Sequence, residues 1–211
     1  TIVDIGANIG TICIPSVKRK LFKKGIAIEP DPLNYSLLSA NIALNQLETK
    51  IQSYNNALGS SNNKKLLFEI SENNFGDNRI SVNNNIGLFN EIDRRKIEVH
   101  SKKFDSLIKL KDPANCLLFI YTQGYEGHVL NGALNHLKQK PPLILLFCPY
   151  NLKRASCLDL LINILINSKY NYIYILNKSI LHKIDLNKDN LVSMINELGY
   201  DGKFYDLLII W

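Results

Sequence analysis

Thr1-Ile2-Val3-Asp4-Ile5-Gly6-Ala7-Asn8-Ile9-Gly10, answered downstream by Ala27-Ile28-Glu29-Pro30-Asp31-Pro32, decides the fold. An apolar run closed by an acid, a glycine turn, a helical stretch and a second apolar run closed by another acid form the front half of a nucleoside-binding βαβ unit. Gly6 and Gly10 bracket a tight turn, and a missing Cβ there lets a ligand lie against the backbone where strand hands over to helix. Glu29 falls one βαβ unit later, where an acid at a strand end accepts hydrogen bonds from both hydroxyls of a ribose. Asp4 ends the neighbouring strand and faces the same crevice.

The spacing of the glycines separates two classes of ligand. Dinucleotide sites use G-x-G-x-x-G so that a pyrophosphate sits on a helix N-terminus. Here the order is D-x-G-x-N-x-G, with three residues between the glycines. S-adenosylmethionine carries no phosphate but does carry an ammonium, which suits an acid placed just before the turn. The expected binding set is Asp4, Gly6, Asn8, Gly10 and Glu29. The plain alternative is a strand-turn-helix whose glycines serve packing.

With 211 residues and 46% hydrophobic side chains, the chain is long enough for one well-buried domain and short for two, so residues 1–211 read as a single domain. No apolar run reaches the length of a membrane span and no signal-peptide pattern precedes the first strand, so a soluble cytoplasmic protein is the default expectation. The chain begins inside a strand and stops abruptly at Trp211, which leaves room for a lost upstream segment and a trimmed end. Cys13, Cys116, Cys148 and Cys157 are scattered through apolar runs without C-x-x-C spacing or nearby histidines. They read as buried free thiols in a reducing compartment, with no metal site. The net charge of +6 is concentrated in Lys18-Arg19-Lys20, Lys23-Lys24, Arg94-Arg95-Lys96 and Lys102-Lys103. Such runs are ordinarily solvated faces; a phosphate-tracking patch for nucleic acid is the second reading.

Strand and helix signals alternate along most of the chain, predicting an α/β fold with a mostly parallel, seven-stranded sheet covered by helices on both faces. The spacing predicts strands at 1–5, 25–29, 50–54, 116–121, 143–148, 171–176 and 205–211. It predicts helices at about 10–24, at 32–47 burying Leu37, Leu38, Ile42 and Leu44, at 104–110, at 125–138, near 153–168 and at 188–198, with a small hairpin at 180–185. Pro15 conflicts with a helix from residue 10 unless it lies in the first turn. Asp31-Pro32 is a clean helix start. The turn after the third strand, Asn55-Asn56-Ala57, offers Asn56 and Ala57 as an adenine edge. From 60 to 103 the alternation breaks into an Asn-rich β insertion with strand-like pieces at 65–70, 79–82 and 97–100. A mobile, lid-like loop is expected around 83–92.

With these positions fixed, the chain resembles the FkbM family of class I S-adenosylmethionine-dependent methyltransferases over nearly all of residues 1–150. The matching pieces are Val3-Asp4-Ile5-Gly6-Ala7-Asn8-Ile9-Gly10 and Ile28-Glu29-Pro30-Asp31-Pro32 with Tyr35, Asn41 and Asn45. Further on come Asn56-Ala57-Leu58-Gly59, Phe104-Asp105-Ser106-Leu107, Gly124-Tyr125-Glu126 and Val129-Leu130-Asn131-Gly132-Ala133. The resemblance implies a Rossmann-like fold, S-adenosylmethionine as methyl donor, and transfer to a hydroxyl oxygen of a sugar, glycan or small-molecule acceptor. Charge is neutralised in such a transition state, so alignment of the reacting groups supplies much of the acceleration, and a base for the hydroxyl proton adds to it.

The base is where the chain departs from its relatives. The family pattern I-D-x-[EQ]-G-x-E reads here Ile120-Tyr121-Thr122-Gln123-Gly124-Tyr125-Glu126, so Tyr121 occupies the aspartate position. A phenol with a pKa near ~10 is a poor base at neutral pH and supplies no fixed charge. The next strand ends in Phe147-Cys148, where relatives often carry a glutamate. Catalytic candidates are therefore Glu126, Tyr121 and His128. Glu126 in a helix first turn equally serves the helix dipole, and Asp105 reads as the cap of the helix at 104–110. His100, His136 and His182 lack a partner in sequence. The alternative functions are a catalytically impaired cofactor-binding or interaction module and an RNA methyltransferase.

Overall fold

The computed structural model describes residues 1–82, 87–177 and 181–211. The first half contains β1 (Ile2–Ile5), α1 (Cys13–Lys18), β2 (Gly25–Ile28), α2 (Pro32–Leu44), β3 (Ile51–Tyr54), β4 (Ala57–Leu58), β5 (Lys65–Ile70), β6 (Arg79–Ile80), β7 (Arg95–Lys102) and α3 (Phe104–Leu107). The second half contains β8 (Leu117–Ile120), α4 (Glu126–Asn131), α5 (Leu134–Leu137), β9 (Leu143–Phe147), α6 (Pro149–Arg154), α7 (Leu158–Asn167), β10 (Tyr172–Ile175), β11 (His182–Asp185), α8 (Lys188–Leu198) and β12 (Tyr205–Ile210).

The main sheet has the order β11-β10-β12-β9-β8-β1-β2-β3. Strands β3, β2, β1, β8 and β9 are parallel, whereas β12 runs antiparallel between β9 and β10, and β11 antiparallel to β10. The sheet is therefore mixed and eight-stranded, a correction to the seven predicted. The additional edge strand is β11, drawn from the stretch predicted as a hairpin at 180–185, of which Ile180 lies outside the described residues. From β1 the chain winds outward through β2 and β3 and then returns to pair β8 on the other side of β1. That reversal opens a crevice at the carboxyl ends of β1 and β8, the place where open α/β sheets bind ligands.

Alternation decides which helices cover which face. Ile2, Ala27 and Ile51 pack with Cys13, Ile14 and Val17 of α1 and Leu38 and Ile42 of α2. Val3, Ile5, Leu118, Ile120, Leu145 and Leu207 point the other way, into a core shared with α4, α7 and α8. Each fully buried Leu or Ile there contributes about 1.5–3 kcal/mol relative to exposure. In β12 the alternation is complete: Tyr205, Leu207 and Ile209 are buried, while Asp206, Leu208 and Ile210 are only partly covered on the opposite face.

Several helices are shorter than periodicity predicts, each for a local reason. α1 spans only Cys13–Lys18, with Pro15 in its first turn; it is stopped by Lys20 in a left-handed conformation at φ 61°. α2 starts as predicted, with the Asp31 carboxylate accepting the Leu33 amide at 3.0 Å. Asn34, Leu38 and Ile42 form its buried stripe at four-residue spacing. Leu37 and Leu44 fall off that stripe and stay 47% and 81% exposed, contrary to expectation. The helix predicted near 153–168 is broken by Ser156 at φ 51°, separating α6 from α7.

The helix predicted over 125–138 divides into α4 and α5 at Gly132. A Cβ there would stand 2.2 Å from the Gly59 carbonyl oxygen, so only glycine lets the two backbones meet. The freed N-terminus of α5 is capped from outside: Asp105 accepts the Asn135 amide at 2.9 Å and the His136 amide at 3.3 Å, and lies 2.5 Å from His136 Nδ1. Asp105 thus caps α5 rather than its own short helix, α3. Asp105→Ala leaves both amides without this acceptor and is expected to lower the unfolding free energy by about 1–3 kcal/mol, read from urea denaturation.

Strands β4, β5, β6 and β7 form a second sheet in the order β4-β7-β5-β6. Its Leu66, Phe68, Ile70, Ile80 and Val99 join the main core. Of the loop predicted as mobile over 83–92, residues 83–86 lie outside the described set. The remainder leads into a 3₁₀ turn at Glu91–Asp93. Glu91 is fully buried, accepting the Phe89 amide and the Tyr150 hydroxyl and lying 3.4 Å from Arg79. Arg79 also donates to Asn151 at 2.9 Å, and Arg94 pairs with Asp77 at 2.5 Å. These bonds fasten the insertion to α6. They also take Arg94 out of the basic run at 94–96, since it is buried and paired rather than solvated.

Candidate active site

The turn after β1 and the turn after β8 meet at Gly6. Its φ of +84° belongs to glycine, and a Cβ would stand 2.1 Å from the Tyr121 carbonyl oxygen. The Gly6 and Ala7 amides both donate to the Ile28 carbonyl at 2.9 and 3.0 Å, and the Tyr121 amide donates to Ile5 at 2.9 Å. Three strand ends are thereby tied into one rim.

Two cavities flank this rim. The narrower is lined by Gly6, Asn8, Glu29, Pro30, Asn56 and Ala57, with Ile28, Leu58, Phe68 and Tyr125 supplying apolar walls. The wider crevice has a volume of about 820 Å³ and is lined by Asp4, Gly6, Asn8, Thr11, Tyr121, Gln123 and Asp206, among others. Gly6, Asn8, Phe75, Gly76 and Tyr121 border both. Phe75 and Gly76 lie in a 3₁₀ turn of the insertion. Asn8 Nδ2 donates to the Phe75 carbonyl at 2.8 Å and Gln123 Nε2 to the Gly76 carbonyl at 3.0 Å, so a short strap is pinned between the cavities from both turns.

Of the predicted binding residues, the structure gathers Gly6, Asn8, Glu29, Asn56 and Ala57 around the narrow cavity. Glu29 is 4% exposed. One carboxylate oxygen accepts the Asn8 amide at 2.8 Å and the other the Asp31 amide at 2.9 Å, leaving one lone pair on each for a further donor. Asp4 sits apart, at the floor of the wider crevice, with its carboxylate accepting the Cys13 amide at 3.0 Å. Gly10 lines neither cavity; a Cβ there would press on Ile14 and Leu38, so its place is in the packing of α1 on α2.

Of the catalytic candidates, Tyr121 borders both cavities and the other two line neither. Glu126 is fully buried, its carboxylate accepting the Thr122 and Gly124 amides, both at 2.9 Å. It braces the turn that carries Tyr121. His128 lies 3.2 Å from Ser60 Oγ and 3.3 Å from the Ala155 carbonyl, against the Tyr125 ring, and burial holds its pKa below the usual histidine value. Tyr121 stacks on Phe119 with ring centroids 5.0 Å apart and donates its hydroxyl to Asp206. Asp206 was not singled out from sequence. The available signal is that it is the one acid inside the apolar strand Tyr205–Ile210. The strap at Phe75–Gly76 and its Gln123 clamp carried no sequence signal.

Burial pushes Asp4, Glu29 and Glu126 each up to about 7. Unfolded carboxyls titrate near ~4. Between these values the folded chain holds more protons than the unfolded one, so these groups' contribution to stability falls as pH rises from about 4 to about 7. Asp4→Asn keeps an acceptor for the Cys13 amide but cannot ionise. Urea titrations at about pH 5 and about pH 7.5 are expected to show a smaller loss of stability in this variant than in the unmodified chain.

Residues 4–174 match the Methyltransferase FkbM domain, and the chain belongs to this methyltransferase family. Its fold is that of class I methyltransferases. The FkbM methyltransferase of Methylobacillus flagellatus KT superposes with a TM-score of 0.57 at 16% identity, covering 100% of this chain and 43% of that one. The B. subtilis m1A22 tRNA methyltransferase TrmK gives a TM-score of 0.50 at 13% identity, covering 99% and 58%. Streptococcus pneumoniae Sp1610 in complex with S-adenosyl-L-methionine gives 0.50 at 16% identity, covering 99% and 64%. The chain therefore spans between two fifths and two thirds of the length of these structures. No curated protein matches it. Among the described residues no helix is long and apolar enough to cross a membrane, no group of three or more His, Cys, Asp or Glu is placed to hold a metal, and all four cysteines are buried free thiols.

Proposed function

We propose that this chain binds S-adenosylmethionine in the narrow cavity and methylates a hydroxyl oxygen of a sugar, glycan or small-molecule acceptor. The observation that carries this reading is the meeting of the Gly6 hinge, Glu29 and Asn56-Ala57 around one cavity that shares Gly6, Asn8 and Tyr121 with a wider crevice. The residues fit the donor. Glu29 keeps a free lone pair on each oxygen for ribose hydroxyls, and the apolar walls match an adenine face; the missing Cβ of Gly6, expected to make room for a ligand, instead admits the Tyr121 carbonyl and so sets the shape of the rim. When bound, the donor supplies an activated methyl group. The chain's own part is to orient the two reactants and keep water out, which the strap over the rim serves by closing the site from the insertion side.

A second reading, a binding module with little turnover, is favoured by Tyr121. The phenol stands where relatives carry an aspartate, and Glu126 and His128 both turn away from the cavities. The two readings are separated by following S-adenosylhomocysteine formation from S-adenosylmethionine with a panel of mono- and oligosaccharides, using the unmodified chain and Tyr121→Asp. Product from the unmodified chain supports the enzyme. Product from Tyr121→Asp alone supports the binding module, and salt-sensitive binding of tRNA with no sugar methylation would replace both by an RNA methyltransferase.

A further inference from the structure

We propose that Asp206, held in place by the Tyr121 hydroxyl, is the acid that receives the amino group of the cofactor's methionine portion. This rests on the cofactor reading above and assigns the other half of the same ligand. With the adenosyl group in the narrow cavity, the amino-acid portion must leave across the shared border of Gly6, Asn8 and Tyr121 into the wider crevice. Among the described residues the acidic side chains lining that crevice are Asp4 and Asp206, with no lysine or arginine beside them, so a cation meets no like charge there. Asp4 accepts the Cys13 amide on one oxygen and is 1% exposed, so burial keeps its carboxyl from an incoming ammonium. Asp206 is only partly covered, and one of its oxygens accepts the Tyr121 hydroxyl, which fixes the carboxylate and leaves the second oxygen for an ammonium.

The pairing also accounts for the departure at position 121. The tyrosine carries no charge of its own, but its ring, stacked on Phe119, reaches past β9 to Asp206 at the start of β12. The negative charge missing from the end of β8 is thereby supplied from another strand at the same edge of the sheet. An ammonium on a fixed carboxylate forms a charge-assisted hydrogen bond, among the stronger single contacts a ligand makes.

Calorimetry with two probes tests this: S-adenosylhomocysteine, which carries the amino group, and 5′-methylthioadenosine, which lacks the whole amino-acid portion. Asp206→Asn keeps an acceptor for the Tyr121 hydroxyl and removes only the charge. It is expected to weaken S-adenosylhomocysteine binding by about ten- to a hundredfold while leaving 5′-methylthioadenosine binding within about twofold. Tyr121→Phe, which frees the carboxylate without removing it, is expected to give a smaller loss on the first probe. Unchanged S-adenosylhomocysteine affinity in Asp206→Asn, or an equal loss on both probes, overturns the assignment while the cofactor reading stands. Failure of the unmodified chain to bind either probe overturns both.

Discussion

Gly6→Ala is expected to abolish measurable S-adenosylhomocysteine binding and to cost the fold about 2–5 kcal/mol. The backbone at φ +84° penalises any L side chain, by about 1–2 kcal/mol for one residue. The new methyl group would also meet the Tyr121 carbonyl oxygen at 2.1 Å, and relieving that overlap costs roughly 1–3 kcal/mol more. The carbonyl belongs to backbone anchored by the Tyr121 amide on Ile5 and cannot yield as the end of a flexible side chain does. Relief must come from parting β1 and β8, which is the line along which the two cavities meet. Denaturant titration gives the stability and calorimetry the binding; Gly10→Ala, which carries a like backbone strain at φ +92° but whose Cβ meets the movable ends of Ile14 and Leu38, isolates the contribution of the carbonyl overlap.

Glu29→Ala is expected to weaken S-adenosylhomocysteine by about 1–3 kcal/mol, or roughly 5- to 150-fold, from the loss of the carboxyl acceptors for the ribose hydroxyls. It also orphans the Asn8 and Asp31 amides, so the hinge loses its brace together with the ligand. Glu29→Gln divides these effects. It keeps one acceptor for an amide and turns the other position into a donor, so stability should fall less than in Glu29→Ala while binding stays impaired. Calorimetry and thermal melting on the two variants measure both parts, and an unchanged affinity in Glu29→Ala would remove the carboxylate from the site.

The parts of the fold legible in the sequence are those fixed by local chemistry. The glycine turn between two acid-terminated strands, the Asp31-Pro32 helix start and the strand at 143–147 stand where their residues put them, because period, cap and turn all point the same way there. Helix lengths were overestimated where a left-handed residue ended the helix, as at Lys20 and Ser156, and neither a lysine nor a serine announces that conformation. The break at Gly132 depends on a carbonyl from Gly59, far away in the chain. Asp105 shows the same limit: its capping chemistry was readable, but which helix it caps is decided by tertiary packing. That Glu29, Gly6, Asn8, Asn56 and Ala57 share one cavity was legible because strand-end positions converge by topology. Asp206 was not, because β12 enters the sheet between β9 and β10, and only that placement brings the start of the strand beside Tyr121.

The most direct measurement is the crystal structure of the chain with S-adenosylhomocysteine. The account predicts the ribose hydroxyls within hydrogen-bond reach of the Glu29 carboxylate and the adenine against Asn56 and Ala57, with the amino-acid portion passing Gly6 toward Tyr121. An adenosyl group bound elsewhere, with Glu29 still serving only the Asn8 and Asp31 amides, would contradict it.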